Sequence, residues 1–188
     1  MRKRKVMEEL QRNISMHIRL HDGFKQPINM VSGIDLSFIE DLSIASCVTC
    51  FFSSLEIVNN KTIVRELSIP YISTYLGFRE GPPIIELINS IDYESNIFLI
   101  NAHGIAHPRF CGCASYVGVL TQKPTIGVAS TNLCGNYVSE PHIVEHYEPM
   151  YYNNRPIGWI FKSNKNCKPI FISPGHLVSL KSSLEIVN

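Results

Sequence analysis

Short apolar runs dominate the middle of the chain, and each ends at a polar or turn-forming residue. Residues 30–38, 44–52 and 61–67 are β-rich and separated by turn-like residues, a pattern that predicts three strands of an antiparallel meander. Upstream, Val6, Leu10, Ile14 and Ile18 recur every four residues, which predicts an amphipathic helix that ends before Asp22-Gly23. Pro82-Pro83 suits the first turn of a helix running through Ile84, Ile85, Leu87 and Ile88, with Glu80 held just ahead of it. Residues 96–100 read as a buried strand, residues 113–120 as a helix and residues 125–129 as a strand. Together they form a β-α-β crossover, which favours a parallel, right-handed arrangement. Residues 156–162 and 169–172 read as late strands, and Ser173-Pro174 is positioned to cap a terminal helix from Gly175 onward. The class is mixed α/β.

Composition narrows this picture without changing it. The 188 residues suit one compact domain, 1–188, and 45% apolar with 18% charged content excludes a largely disordered chain. No apolar run approaches membrane-span length. Basic Met1-Arg-Lys-Arg-Lys5 is followed by Met7-Glu-Glu-Leu-Gln-Arg12 where a signal peptide needs its apolar core, so cytoplasmic residence is expected. A net charge of +1 carries no global field for nucleic acid, and any such contact must be local. The candidates are the first five residues and a scatter that includes Arg79, Arg109, Lys123, Arg155, Lys162, Lys165 and Lys168.

Six cysteines in a chain of this size, without a regular framework, read as free thiols. Cys47 and Cys50 have a zinc-like spacing that Cys111 and Cys113 could complete. Strand geometry opposes this, because positions three apart point to opposite faces. The heptapeptide Ser-Ser-Leu-Glu-Ile-Val-Asn occurs at both 53–59 and 182–188. A zinc-stabilised interaction protein is the reading those cysteines would support.

Candidate chemistry gathers in four places. Phe98-Leu-Ile-Asn-Ala-His-Gly-Ile-Ala-His-Pro-Arg109 reads as a buried strand opening into a loop with two histidines, a glycine and an arginine. Asp35 lies between Ile34 and Leu36 in a strand, either on its solvent face or buried with a partner such as a metal ion. Glu80 beside Arg79 is either an exposed ion pair or a ligand. His103 and His107 are four apart, but Gly104 and Pro108 argue against a helical metal pair, so His107-Pro108-Arg109 reads better as a phosphate-facing or proton-relaying group. His176, after a Pro-Gly turn, is either a helix-cap histidine or a group that orients water.

With Gly33-Ile-Asp-Leu-Ser37, Phe78-Arg-Glu-Gly-Pro-Pro83 and Ser173-Pro-Gly-His176 added, the chain resembles endonuclease V from about Gly33 to about Leu184. That resemblance implies a ribonuclease H-like mixed sheet flanked by helices. It also implies Mg²⁺ or Mn²⁺ held at Asp35, Glu80 and Asn101, and hydrolysis on the 3′ side of deoxyinosine or inosine in DNA, or possibly single-stranded RNA, in the service of DNA repair. Clustered carboxylates suit hard cations that activate water beside a phosphate. Pro70-Tyr71-Ile72-Ser73 matches the family's wedge. Tyr71 would stack beside the displaced base, and the base would enter a pocket lined partly by backbone around Gly77, Gly104 and Gly112. His107 and Arg109 match its His-Pro-Arg segment, and His176 its late histidine. A monomer that contacts nucleic acid and no membrane is the expectation.

The chain departs from that pattern at four positions. Asn101 stands where the family has a second metal-binding aspartate, and Ser130 follows Gly127-Val-Ala129 where the family has a lysine. Ser73 replaces the wedge proline, and Ala102 replaces a glycine. An asparagine offers a cation only a neutral carbonyl oxygen, so metal affinity should fall. A catalytically weakened or silent binder of inosine-containing nucleic acid is the alternative expectation.

Overall fold

The computed structural model describes residues 2–67 and 69–188. Its elements are α1 (Arg2–Ser15), β1 (Met30–Ile39), β2 (Leu42–Phe51), β3 (Ile57–Glu66), α2 (Leu76–Asn89), β4 (Ile97–Ile100), α3 (Cys113–Thr121), β5 (Thr125–Ala129), β6 (Tyr147–Tyr152), β7 (Arg155–Phe161), β8 (Ile170–His176) and α4 (Leu180–Val187). The strands form one sheet in the order β3-β2-β1-β4-β5-β8-β7-β6. β1, β4 and β5 run parallel to one another and the remaining pairings are antiparallel, so the meander and the β-α-β crossover both form as their patterns predict.

Alternation along the strands sends two sets of apolar side chains in opposite directions. Ile34, Cys47, Phe98 and Ile100 pack beneath Ile84, Leu87 and Ile88 of α2 and Ala114 and Val117 of α3. On the reverse face Ile97, Ile126, Phe161 and Ile172 meet Val178 and Leu184, with Phe24 and Ile28 closing the edge. The six cysteines are all free. No helix is long and apolar enough to cross a membrane among the described residues.

Three local expectations are corrected, and one strand was not foreseen. The first helix stops at Ser15, and its buried side is not the Val6–Leu10 stripe: those residues are 50% and 44% exposed, while Gln11 is 1% exposed. The bonds that Gln11 makes to the loops around the site turn this face inward. α2 begins at Leu76, six residues before Pro82, so both prolines and Glu80 lie inside the helix. Gly77 and Gly81 let this extra turn lie against the Tyr116 ring, where a Cβ at Gly81 would come within 2.6 Å of Cε1. β6 lacked a legible pattern. Ser173-Pro174 does not cap a helix: β8 continues through both to His176, and α4 starts after Ser179, whose hydroxyl accepts from the Ser182 N–H. The Asp22 carboxylate supports that cap by accepting from the Ser179 N–H and the Ser182 hydroxyl.

Candidate functional site

β4 ends at Ile100 beside Ile34 of parallel β1, and the carboxyl ends of parallel strands are where such a sheet presents ligand-facing groups. The Asn101 N–H donates to Ile34 C=O at 3.0 Å, which fixes the residue beside Asp35. Its Nδ2 donates to Asp35 Oδ1 at 2.8 Å, and the Leu36 N–H donates to the same oxygen at 2.8 Å. Both side chains are exposed. Glu80, in contrast, is buried, and burial pushes its carboxyl up to about 7. The nearby Asp35 carboxylate adds to the rise, while Arg79 opposes it. Asp35 and Asn101 are therefore joined directly, and Glu80 lies within electrostatic reach of Asp35.

Behind them lies a cavity of about 200 Å³ whose wall includes Tyr71, Gly77, Asn101, His103, Gly112 and Ser130. That is smaller than the roughly 300–1,000 Å³ of drug-sized pockets and suits one planar base. Tyr71 is 68% exposed beside it. Gly112 has no room for a side chain, since a Cβ would sit 2.3 Å from His103 C=O oxygen. Gly104 lies behind the wall, where a Cβ would be 2.2 Å from Pro174 O.

His107 and Arg109 are engaged by partners within the protein. His107 Nε2 donates to Thr74 C=O at 2.9 Å and its Nδ1 accepts from the Arg109 N–H at 3.1 Å, so both ring nitrogens are used. Arg109 donates from Nε to Gln11 Oε1 at 2.6 Å and from Nη2 to Thr74 O and Oγ1, with its guanidinium 4.7 Å above the Tyr75 ring. Gln11 Nε2 completes the network by donating to Thr74 O and Cys111 O. Burial pulls His107 down to about 4, which keeps it neutral. His107 also borders the cavity, and its bond to Thr74 ties it to the loop that carries Tyr71.

His176 is not part of this assembly. It pairs with Thr125 at the start of β5, whereas the cavity borders Ala129 and Ser130 at the end of that strand. It is 1% exposed and accepts the Arg19 N–H at 3.3 Å. The extended backbone of Ser173-Pro-Gly-His176 carries it to the far end of the sheet. Conversely, His103, passed over as half of a doubtful metal pair, lines the cavity. Its Nδ1 is buried without a hydrogen-bond partner among the described residues, and burial lowers the ring to about 4. Its place directly after the β4 end was the signal that could have found it.

The donor set consists of oxygens: two carboxylates and one amide carbonyl. That chemistry fits a hard divalent cation, which takes one or two carboxylates and keeps several waters. Among the described residues no group of three His, Cys, Asp or Glu side chains is placed to hold a metal, which also removes the four-cysteine zinc reading.

Residues 12–188 match the model of the family described as endonuclease V. The chain belongs to the endonuclease V family. Endonuclease V of Thermosipho melanesiensis is 36% identical over 178 residues, covering 95% of this chain and 78% of that protein. The endonuclease V structure from Streptomyces avermitilis superposes with a TM-score of 0.87 at 28% identity, covering 96% and 80% of the two chains. That from Ciona intestinalis, solved with a 24-mer DNA containing an inosine followed by a ribo-adenosine, has a TM-score of 0.84 at 26% identity, covering 99% and 88%. The sheet is accordingly a ribonuclease H-like fold, and the family is one of nucleases.

Proposed function

We propose that this endonuclease V relative is a divalent-metal-dependent nuclease acting on the 3′ side of deoxyinosine or inosine. The observation that carries the reading is that Asn101, hydrogen-bonded to Asp35 and so tied to the Asp35–Glu80 carboxylates, lines a base-sized cavity that Tyr71 also borders. The inosine-containing DNA held by the Ciona relative supports the substrate class.

Asp35 and Glu80 would hold Mg²⁺ or Mn²⁺ by their carboxylates, and Asn101 would add its carbonyl oxygen once Nδ2 is engaged elsewhere. Bound there, the cation supplies an activated water and positive charge for the phosphate. Hydrolysis would add a water oxygen to phosphorus and break the P–O3′ bond, leaving a 5′ phosphate and a 3′ hydroxyl. Tyr71 would stack in the gap left by the displaced base, a contact worth about 1–3 kcal/mol. The narrow wall at Gly77 and Gly112 would receive the base itself. Ser130 offers the phosphate a hydroxyl but no positive charge.

A second reading is a silent binder of deaminated bases. It is favoured by the Asn101 amide, which ties up one Asp35 oxygen and leaves two carboxylates at the site. One experiment separates the two. An end-labelled oligonucleotide with a single deoxyinosine is incubated with the protein and Mg²⁺ or Mn²⁺, alongside an adenosine control. Inosine-dependent nicking upholds the nuclease; selective binding without nicking upholds the binder; equal binding to both oligonucleotides overturns both.

A further inference from the structure

The net positive charge of α1 is larger than that of the whole chain. α1 carries five Lys or Arg against two Glu, a balance of +3, whereas the whole chain has +1. Everything outside α1 therefore sums to −2, so this helix is a local attraction for a polyanion on an otherwise net-negative chain. Lys3, Arg4, Lys5 and Arg12 are exposed, and none forms an ion pair among the described residues.

The helix is also fastened to the loop that carries Tyr71. Arg4, Glu8 and Gln11, spaced four and seven apart, share one stripe of the helix. Tyr75 OH donates to Glu8 Oε1 at 2.7 Å, and Gln11 Nε2 reaches Thr74 O at 2.9 Å. The Arg4 guanidinium is near enough to act on the Tyr75 phenol. Lys5 and Arg12, seven apart, form the neighbouring stripe, and Lys3 flanks the other side. A strand threading past Tyr71 into the cavity therefore meets these cations within a turn or two of the helix.

We infer that the exposed basic face of α1 is the surface that binds the phosphate backbone of the strand whose base enters the cavity. The inference rests on the nucleic-acid reading above and deepens it. Backbone contacts position a strand without reading its sequence, so this surface governs affinity and salt dependence, and the cavity governs base choice.

The test is equilibrium binding of a fluorescein-labelled single-stranded DNA with one deoxyinosine, in Ca²⁺, across a NaCl series. The triple variant Lys3→Gln/Arg4→Gln/Lys5→Gln is compared with the parent chain and with Lys25→Gln/Lys123→Gln/Lys181→Gln, which removes equal charge at the opposite end of the sheet. The α1 variant should lower the magnitude of the log–log salt slope by about 2, weaken binding roughly 10- to 100-fold at low salt, and keep the parent's preference for inosine over adenosine. The control variant should retain most of the parent's slope. Equal slopes for the α1 variant and the parent overturn the surface while leaving the nucleic-acid reading intact. Equal loss in both variants also overturns it, by making the effect one of net charge. If the parent binds neither oligonucleotide with any salt dependence, this inference and the reading beneath it fall together. Circular dichroism of each variant identifies a failure to fold, and the single variants Arg4→Gln and Lys5→Gln then carry the same comparison with about one third of the slope change each.

Discussion

Two polar clusters flank one cavity and are built on opposite terms. In the Gln11, Thr74, His107 and Arg109 cluster, both His107 ring nitrogens are bonded, Gln11 uses both ends of its amide, and Arg109 is bonded and stacked. In the Asp35, Glu80 and Asn101 cluster a single side-chain bond joins two exposed groups, and the third member is a carboxyl that burial pushes up to about 7. A saturated network fixes geometry and has little left to offer a ligand. An unsaturated one is costly to maintain and available for chemistry. The His-Pro-Arg segment, which looks reactive as a sequence, belongs to the first kind.

The largest effect that sharpens this contrast is expected from Asn101→Asp. A third carboxylate raises attraction for a divalent cation, and cleavage of an inosine oligonucleotide should rise on the order of 100-fold. The same variant should lower the metal-free melting temperature, because like charges then crowd Asp35 and Glu80, and should widen the stabilisation that Mn²⁺ brings. Arg109→Ala addresses the other cluster. It strips bonds from Gln11 and Thr74 and should cost about 2–3 kcal/mol in urea unfolding, with the cavity's binding lost alongside. If Arg109→Ala left stability unchanged while abolishing phosphate binding, the division between the clusters would fail.

Tyr71→Ala should weaken binding of a deoxyinosine strand by about 1–3 kcal/mol and leave the unfolding midpoint unchanged, since the ring is exposed. The smallest effect is pH dependence. His103 and His107 are lowered to about 4 from 6.5, so as pH falls below 6.5 the unfolded chain gains protons that the folded chain refuses, and stability falls. Glu80, raised to about 7 from 4.5, acts in reverse: its folded form keeps a proton that the unfolded chain releases, so stability falls as pH rises. Between about pH 5 and 6 two histidines outweigh one carboxyl, leaving roughly 1.4 kcal/mol of lost stability per unit of acidification. His176, also lowered by burial, adds in the same direction. Glu80→Gln should steepen that fall by about one proton, which urea midpoints at several pH values would measure.

The heptapeptide Ser-Ser-Leu-Glu-Ile-Val-Asn marks how far local sequence reaches. At 53–59 it is a turn entering the edge strand β3, with Leu55 70% exposed; at 182–188 it forms most of α4, with Leu184 7% exposed. Seven identical residues carry no difference of propensity, so pairing with β2 in one place and the Asp22-supported cap in the other decide the outcome. The meander and the crossover were legible because alternation and turn residues encode them, whereas the meeting of Asp35 with Asn101 was legible only through the resemblance to endonuclease V. His176 was misplaced because Pro-Gly reads as a turn, yet β8 accommodates it in extended backbone. The burial of Gln11 and the inward turn of Arg109 were hidden because their partners lie far along the chain.

That separation has a kinetic consequence. The bonds that brace the cavity wall join residues 63, 98 and 100 positions apart, whereas the Ser32–Thr49 hydroxyl pair in the meander spans 17. Closing long loops costs more chain entropy, so the sheet's hairpins should assemble first and the wall last. Run in reverse, the amides around Thr74 and Cys111 should exchange with solvent through a local opening that leaves the strands protected. A molecule can then be folded by every measure of its sheet and still lack the pocket.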